Sequence, residues 1–287
     1  MSEEPCRQRP QFFRRGCFAE RVWFAHADTV TVHLEFKRYV SVCDPNGDPI
    51  TKPGLNRGLV MATFILVPGA WHGAWAFDSV VPLLQDAGHT VHAATLTGLD
   101  PDDDEATVAS ANLDRHADDV LQFLDRSHFA DVTLVGHSYG GMVISAVADR
   151  AEGRVSRLVY LDAYVPRNGD SCWSLTTGAY RRAFVAGAAD TGYAVRPPFR
   201  APHGGEPRRR PHPLASLVQS IRLTGAVDRV PRRDFIYCSG WEAETPFADL
   251  RARLSADRSW HVHDIPTSHN AMREDPTGVA ALLDLSD

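Results

Sequence analysis

From about residue 61 onward, short apolar runs alternate with stretches in which apolar residues recur at helical spacing. Phe64-Ile65-Leu66-Val67 is unbroken and ends at Pro68-Gly69, the pattern of a strand buried on both faces. The spacing predicts a helix from near Phe77 to Gly88, with Val80, Leu83 and Leu84 on one side, Asp78 as N-cap and Gly88 as the stop. Thr90 to Ala94 reads as the next strand. Leu113, Ala117, Val120, Leu121 and Leu124 then mark an amphipathic helix. Val132 to Val135 is a further buried strand, Met142, Val143, Ala146 and Val147 line the helix behind it, and Leu158 to Leu161 is another strand. Strand and helix in this rhythm predict an α/β fold, a mostly parallel sheet with helices on both faces. Ligands on such sheets bind beyond the carboxyl ends of the strands, so the residues that follow each apolar run are the candidates for chemistry.

The rhythm lapses after Asp162. Pro, Arg and Gly crowd the stretch from Arg196 to Pro213, which predicts an irregular insertion over the strand ends, within about residues 165–230. It resumes with Phe235 to Cys238, a helix near Pro246 to Leu254, a last strand from Trp260 to Ile265 and a terminal helix from about Thr277 to Leu285. In residues 1–60, Val30, Val32, Leu34 and Phe36 alternate with polar residues as in a half-buried strand. Met61 nevertheless stands directly before the first parallel strand. Residues 1–60 therefore read as a weakly attached N-terminal extension of a domain spanning 61–287.

Composition narrows the partners. A chain of 287 residues can build a core without covalent staples. Cys6, Cys17, Cys43, Cys172 and Cys238 are odd in number and scattered, so neither a disulfide framework nor a structural zinc site is expected. The net charge of -6 opposes binding to nucleic acid. No apolar run approaches the length of a membrane span, and Met1 to Pro10 carries no apolar core of a signal peptide. The expectation is a cytoplasmic protein that takes a small molecule, with no nucleic-acid or membrane partner; the sequence carries no mark of oligomeric state.

Gly136-His137-Ser138-Tyr139-Gly140 fits G-x-S-x-G and lies where a strand turns sharply into a helix, the setting that lifts a serine hydroxyl clear of the sheet. Gly136, Gly140 and Gly141 remove side chains that would clash, and the helix behind Ser138 aims its N-terminal N–H groups at charge developing there. Phe64 to Trp75 reads F-I-L-V-P-G-A-W-H-G-A-W. Its backbone N–H at Ala70 is the expected partner of Tyr139 N–H in an oxyanion hole, with Gly69 permitting close approach. Gly69, Trp71, His72 and Tyr164 are candidates for the substrate pocket.

V-P-G-A-W-H-G-A-W at 67–75, V-G-H-S-Y-G-G-M at 135–142, L-D-A-Y-V-P at 161–166 and S-H-N-A-M at 268–272 together resemble the α/β-hydrolase superfamily. Within it the chain looks like the branch of plant methylesterases, hydroxynitrile lyases and small bacterial esterases. The resemblance implies the α/β-hydrolase fold, with a cap inserted between the sixth and seventh strands of the family fold. It also implies a serine hydrolase that cleaves an ester, thioester or lactone of a small, largely apolar molecule through an acyl-enzyme. On it, Ser138 is the nucleophile and His269 the general base. The acid has three candidates. Plant relatives carry it after the strand equivalent to Phe235 to Cys238, where this chain offers Glu242 or Glu244; other α/β-hydrolases carry it where Asp162 stands. Asp162 is favoured because a short Asp at a strand end is held more rigidly than a Glu on a loop.

The resemblance disfavours two sister chemistries. Lyases of this branch use a Thr where this chain has Gly69 and a Lys where it has Asn270, and dehalogenases need an Asp nucleophile in place of Ser138. A non-catalytic small-molecule-binding protein on the same fold is the alternative from another class. The acidic run from Asp100 to Glu105 reads as a solvated loop, and Arg208-Arg209-Arg210 as a solvated flexible tip. His261 and His263 share one face of a strand without a third ligand at metal spacing, so no metal or cofactor is expected.

Overall fold

A computed structural model describes residues 61–198, 206–241 and 244–285. All of them belong to the larger of the two units into which the chain divides, Asn56–Asp287. The alternating segment around Val30 to Phe36, and with it the expected N-terminal extension, lies outside the described residues.

In chain order the first half holds β1 (Thr63–Val67), α1 (Val81–Asp86), β2 (Thr90–Ala93), α2 (Glu105–Ser110), α3 (Leu113–Ser127), β3 (Val132–His137), α4 (Gly140–Arg150) and β4 (Val155–Leu161). The cap follows, with α5 (Cys172–Leu175), α6 (Gly178–Ala188), a short antiparallel ribbon of β5 (Ala194–Val195) and β6 (His212–Pro213), and α7 (Leu214–Val218). The chain returns to the sheet with β7 (Arg232–Cys238), α8 (Ala248–Ser255), β8 (His261–Ile265), α9 (Ala271–Glu274) and α10 (Pro276–Leu283). Among the described residues the main sheet has six strands in the order β2-β1-β3-β4-β7-β8, and every pairing is parallel. This is the α/β-hydrolase fold with helices on both faces.

Alternating side chains of the strands feed two cores. Ile65, Val67, Leu134, Leu158, Tyr160 and Phe235 pack with Leu113, Val120 and Leu124 of α3, Val143 and Val147 of α4, and Leu254 of α8. Phe64, Leu66, Val135, Val159, Leu161 and Ile236 point the other way, onto Leu84 of α1 and Val279 and Leu283 of α10. Sheet order reverses at β1, which pairs with β2 on one side and β3 on the other. That reversal opens a crevice at the carboxyl ends of β1 and β3. Register completes the arrangement: Val67 pairs with Gly136, and His137 with Leu161. The next residues along β3 and β4, Ser138 and Asp162, therefore emerge side by side.

Four expectations change. The helix after β1 begins at Val81, with Val80 as an N-cap that makes no side-chain bond, and a 3-10 turn at Ala74–Phe77 precedes it. Pro82 fits the first turn of a helix, where no N–H partner is needed, and so sets the start. Asp78 pairs instead with Arg208. The acidic run is ordered: Asp104 caps α2 by accepting Thr107 N–H at 2.8 Å, and Asp103 accepts Gly98 N–H at 2.7 Å. Among its described residues the insertion carries three α-helices, two of them started by Ser171 and Thr177 side chains. Arg208 is no free tip, for it bonds Glu206 and Asp78 and stacks over Trp75, while Arg210 N–H bonds Trp71 O at 3.1 Å. The described cysteines, Cys172 and Cys238, are buried and free. No helix among the described residues is long and apolar enough to cross a membrane.

Candidate active site

Three residues just beyond the carboxyl ends of the strands hold positive φ without being glycine: Trp71 at 68°, Ser138 at 52° and Asp162 at 44°. Such backbone costs about 1–3 kcal/mol and persists only where the surroundings over-determine it. Around Ser138 they do so. Its N–H bonds Leu161 O at 3.3 Å, and its carbonyl accepts Gly141 N–H at 3.1 Å and Tyr164 N–H at 3.2 Å. No side chain fits nearby. A Cβ on Gly141 would lie 2.1 Å from Tyr164 O, and one on Gly69 would lie 2.9 Å from both Ser138 Cβ and His137 Nδ1. The β1 loop thus presses directly on the serine, and the serine stands half-buried at the start of α4.

Tyr139 is the N-cap of α4, where backbone N–H groups have no acceptor within their own helix. Among the described residues neither Tyr139 N–H nor Ala70 N–H donates a hydrogen bond. Both flank the serine, one from its own turn and the other from the β1 loop.

His269 follows β8. Its Nδ1–H donates to Asp162 Oδ2 at 2.7 Å, leaving Nε2 as the accepting nitrogen of the neutral ring. Asp162 is fully buried, and a carboxylate removed from water needs donors on both oxygens. Cys238 N–H reaches Oδ1 at 3.2 Å and the Trp241 indole N–H reaches Oδ2 at 2.8 Å. Trp241 also packs on the His269 ring with centroids 4.8 Å apart, and Phe247 stacks on it at 5.9 Å. Glu244 is exposed, and Glu242 lies outside the described residues. Of the three acid candidates the imidazole is bonded to Asp162.

The residue before the serine ties the two halves together. His137 is buried, donates Nε2–H to His269 O at 2.9 Å, and its ring lies 4.5 Å from that of His269. Burial, with the neighbouring His269, holds the His137 pKa well below the ordinary value, so it stays a neutral donor. Ser268, next to His269, is fastened by Glu274, which accepts both its N–H and its hydroxyl.

The remaining candidates are all engaged. Tyr164 donates its hydroxyl to Thr176 at 2.9 Å, and burial raises its phenol pKa well above the usual range. Trp71 donates its indole N–H to Val195 O at 2.8 Å. His72 is buried, bonds Ala70 O through Nδ1 at 2.7 Å, and burial lowers its pKa to about 4. Sequence reasoning missed Trp241 and His137. His137 is a variable position of G-x-S-x-G, and Trp241 stands in the S-G-W-E-A-E loop that offers Glu242 and Glu244. A cleft of about 720 Å³ along β2 and α3 is lined by Thr95, Thr97, Arg115 and Asp119 and by none of Ala70, Ser138, Asp162 and His269, so it is separate from this site. Among the described residues no His, Cys, Asp and Glu side chains cluster as a metal site.

Trp241→Phe keeps the ring on His269 and removes one donor from Asp162. A hydrogen bond to a charged group is worth about 1.5 kcal/mol or more, so any turnover that uses the Asp162-bonded imidazole should fall roughly tenfold in kcat with KM little changed in steady-state kinetics.

A half-buried serine on a strained turn, an Asp-bonded histidine after the last strand, and a cap over parallel strand ends define one class of protein. The model of the alpha/beta hydrolase family matches residues 64–282, and the chain belongs to that family. It is 34% identical over 242 residues to the carbendazim hydrolyzing esterase of Nocardioides sp. (strain SG-4G), spanning 78% of this chain and 98% of that protein. It is 36% identical over 105 residues to the alpha-hydroxynitrile lyase of Arabidopsis thaliana, spanning 36% of this chain and 40% of that protein. Among solved structures it is similar to an extracellular alpha/beta-hydrolase from Paenibacillus species, with a TM-score of 0.68 and 21% identity over 77% of this chain and 97% of that one. The last likeness is one of fold. The expected kinship with plant methylesterases, hydroxynitrile lyases and bacterial esterases holds, and the chain is an esterase-type hydrolase.

Proposed function

We propose that this enzyme cleaves the ester bond of a small, largely apolar molecule through an acyl-enzyme on Ser138. The reading rests most on the 2.7 Å bond between His269 Nδ1 and Asp162, which fixes the tautomer whose Nε2 accepts a proton. Ser138 Oγ attacks the carbonyl carbon and its proton passes to His269 Nε2. Charge moves to the carbonyl oxygen, where the N–H groups of Ala70 and Tyr139 receive it. The intermediate collapses as Nε2 returns the proton to the departing alcohol. Water then attacks the acyl-enzyme, giving its proton to Nε2, and the acid leaves as Ser138 regains its hydrogen.

Several features favour this reading over its neighbours. The space beside Gly69 admits no side chain, so the hydroxyl that a lyase of this branch places there has no room. Asn270 supplies no cation for cyanide. A binding protein would have no use for an imidazole oriented by a buried carboxylate. The test is a panel of p-nitrophenyl esters, thioesters and lactones of graded acyl length, with carbendazim, the compound named in one relative, and mandelonitrile as further members. Turnover of esters with no cyanide released from mandelonitrile is expected. Cyanide release without ester turnover, or no turnover of any member, defeats the proposal.

A further inference from the structure

The Ala70–Trp71 peptide is held at both ends by histidines, and this inference rests on the esterase reading above. Its carbonyl, Ala70 O, accepts His72 Nδ1–H at 2.7 Å. Its amide, Trp71 N–H, donates to His212 Nδ1 at 3.2 Å. His212 arrives from the cap, at β6, and is fully buried.

The protons in this corner can be placed. The Ser216 hydroxyl donates to Pro213 O at 2.8 Å, so its oxygen must accept at the 2.9 Å contact with His212 Nε2. His212 therefore carries its hydrogen on Nε2 and presents a bare Nδ1 to Trp71 N–H. Burial, with His116 and His72 nearby, keeps the ring neutral. The same ring packs edge-on against Tyr139, centroids 4.8 Å apart, and the Tyr139 hydroxyl bonds His116 Nδ1 at 2.8 Å. His116 Nε2–H in turn is spent on Thr97 O at 2.8 Å. One cap histidine thus touches Tyr139 and the peptide that joins Ala70 to Trp71, beside both N–H groups assigned to the oxyanion hole.

Why such a clamp is needed follows from the backbone. Trp71 holds φ at 68°, a conformation from which a bulky residue escapes by rotating the preceding peptide plane. That rotation turns ψ of Ala70 and φ of Trp71 together and would swing Ala70 O away from His72 Nδ1, the residue whose backbone N–H also holds the Gly69–Ala70 plane that carries Ala70 N–H. The plane on the other side of Ala70 is also tied, since Gly69 O accepts His72 N–H at 3.3 Å. Cap contacts at Trp71 O, from Arg210 N–H, and at the indole, from Val195 O, leave the peptide amide as the remaining free handle. His212 takes it.

We propose that His212 is a positioning residue for the oxyanion hole: with His72 it locks the Ala70–Trp71 peptide against rotation, and so couples a seated cap to a correctly aimed Ala70 N–H. The cap then contributes to transition-state binding as well as to pocket shape.

The test compares wild type with His212→Phe, which keeps an aromatic ring and deletes the acceptor, and His212→Asn, which keeps an acceptor. Active sites are first counted with a fluorophosphonate, and p-nitrophenyl butyrate hydrolysis is then expressed per titrated site. In H212F, kcat should fall ten- to hundredfold with KM within twofold, and affinity for a trifluoromethyl ketone, whose adduct bears the oxyanion, should fall by the same factor. H212N should recover at least a third of the lost kcat on a logarithmic scale. Kcat and ketone affinity within twofold of wild type in H212F overturn the proposal, as does a loss carried wholly by KM. If H212F does not fold, ¹⁵N-imidazole spectra of the wild type decide. A His212 Nδ1 resonance, assigned by its loss in H212N, should report an unprotonated acceptor, and a protonated Nδ1 overturns the proposal. Failure of wild type to titrate at Ser138 would instead remove the esterase mechanism itself, so the two failures are distinct.

Discussion

Ser138→Ala should fold normally and lose about 10⁶-fold in kcat on p-nitrophenyl esters, the scale seen when a nucleophile that works as a unit with its base is deleted. The expectation comes from how much of the local structure serves this one side chain. Ser138 sits at φ 52°, its carbonyl takes two N–H donors, and Gly69, Gly140 and Gly141 occupy places where a Cβ would meet backbone or the serine itself. Alanine fits the same backbone, so the loss should come without unfolding, and thermal midpoint and circular dichroism should match wild type. Residual turnover about three to four orders of magnitude above the uncatalysed rate is expected from the oxyanion donors and substrate binding alone. Undiminished hydrolysis by the variant would mean that another group attacks the ester.

Asp162→Asn should cost about 10⁴-fold in kcat and also some stability. Three donors converge on the Asp162 carboxylate, from Cys238 N–H, Trp241 Nε1–H and His269 Nδ1–H. An amide offers one accepting oxygen. If that oxygen turns toward Trp241 and His269, the amide nitrogen faces Cys238 N–H, donor against donor. If it turns toward Cys238, the NH₂ faces Trp241 and drives the His269 proton onto Nε2, where it blocks the base. Either orientation buries an unmet donor, at about 1–3 kcal/mol, which for a domain of this size lowers the thermal midpoint by a few degrees. Calorimetry with kinetics per titrated site separates the two effects. A variant with full activity would show that Asp162 orients nothing that matters to turnover.

The sheet was legible because parallel strands covered on both faces read as unbroken apolar runs. Phe64 to Val67, Val132 to Val135 and Leu158 to Leu161 each appear as strands close to where they were expected. The strand-end rule then directed attention to Gly69, Ser138 and Asp162, and the structure gathers these at the ends of adjoining strands. What stayed hidden depends on meetings between distant positions. Trp241 and Asp162 are 79 residues apart, and His137 and His269 are 132 apart, so no local pattern announces either contact. The cap helices were missed for a different reason. α5 and α7 have only four and five residues, too short for periodicity to register, and only the Ser171 and Thr177 caps marked the helices they start. Arg208 looked free because two of its partners, Asp78 and the Trp75 ring, lie in the β1 loop.

The cap and the sheet are thus joined where the chemistry is proposed to occur. Cap contacts run to Trp71 through His212, Val195 and Arg210, while the sheet side holds His269 through Asp162 and His137. The account stands on Ser138 being the group that His269 activates. Peptide mapping by mass spectrometry after treatment with a fluorophosphonate measures this directly. One adduct per chain on the peptide containing Ser138, formed in step with loss of esterase activity and absent in His269→Ala over the same time, is predicted. Full esterase activity after complete labelling, or an adduct on a different residue accounting for inactivation, would contradict it.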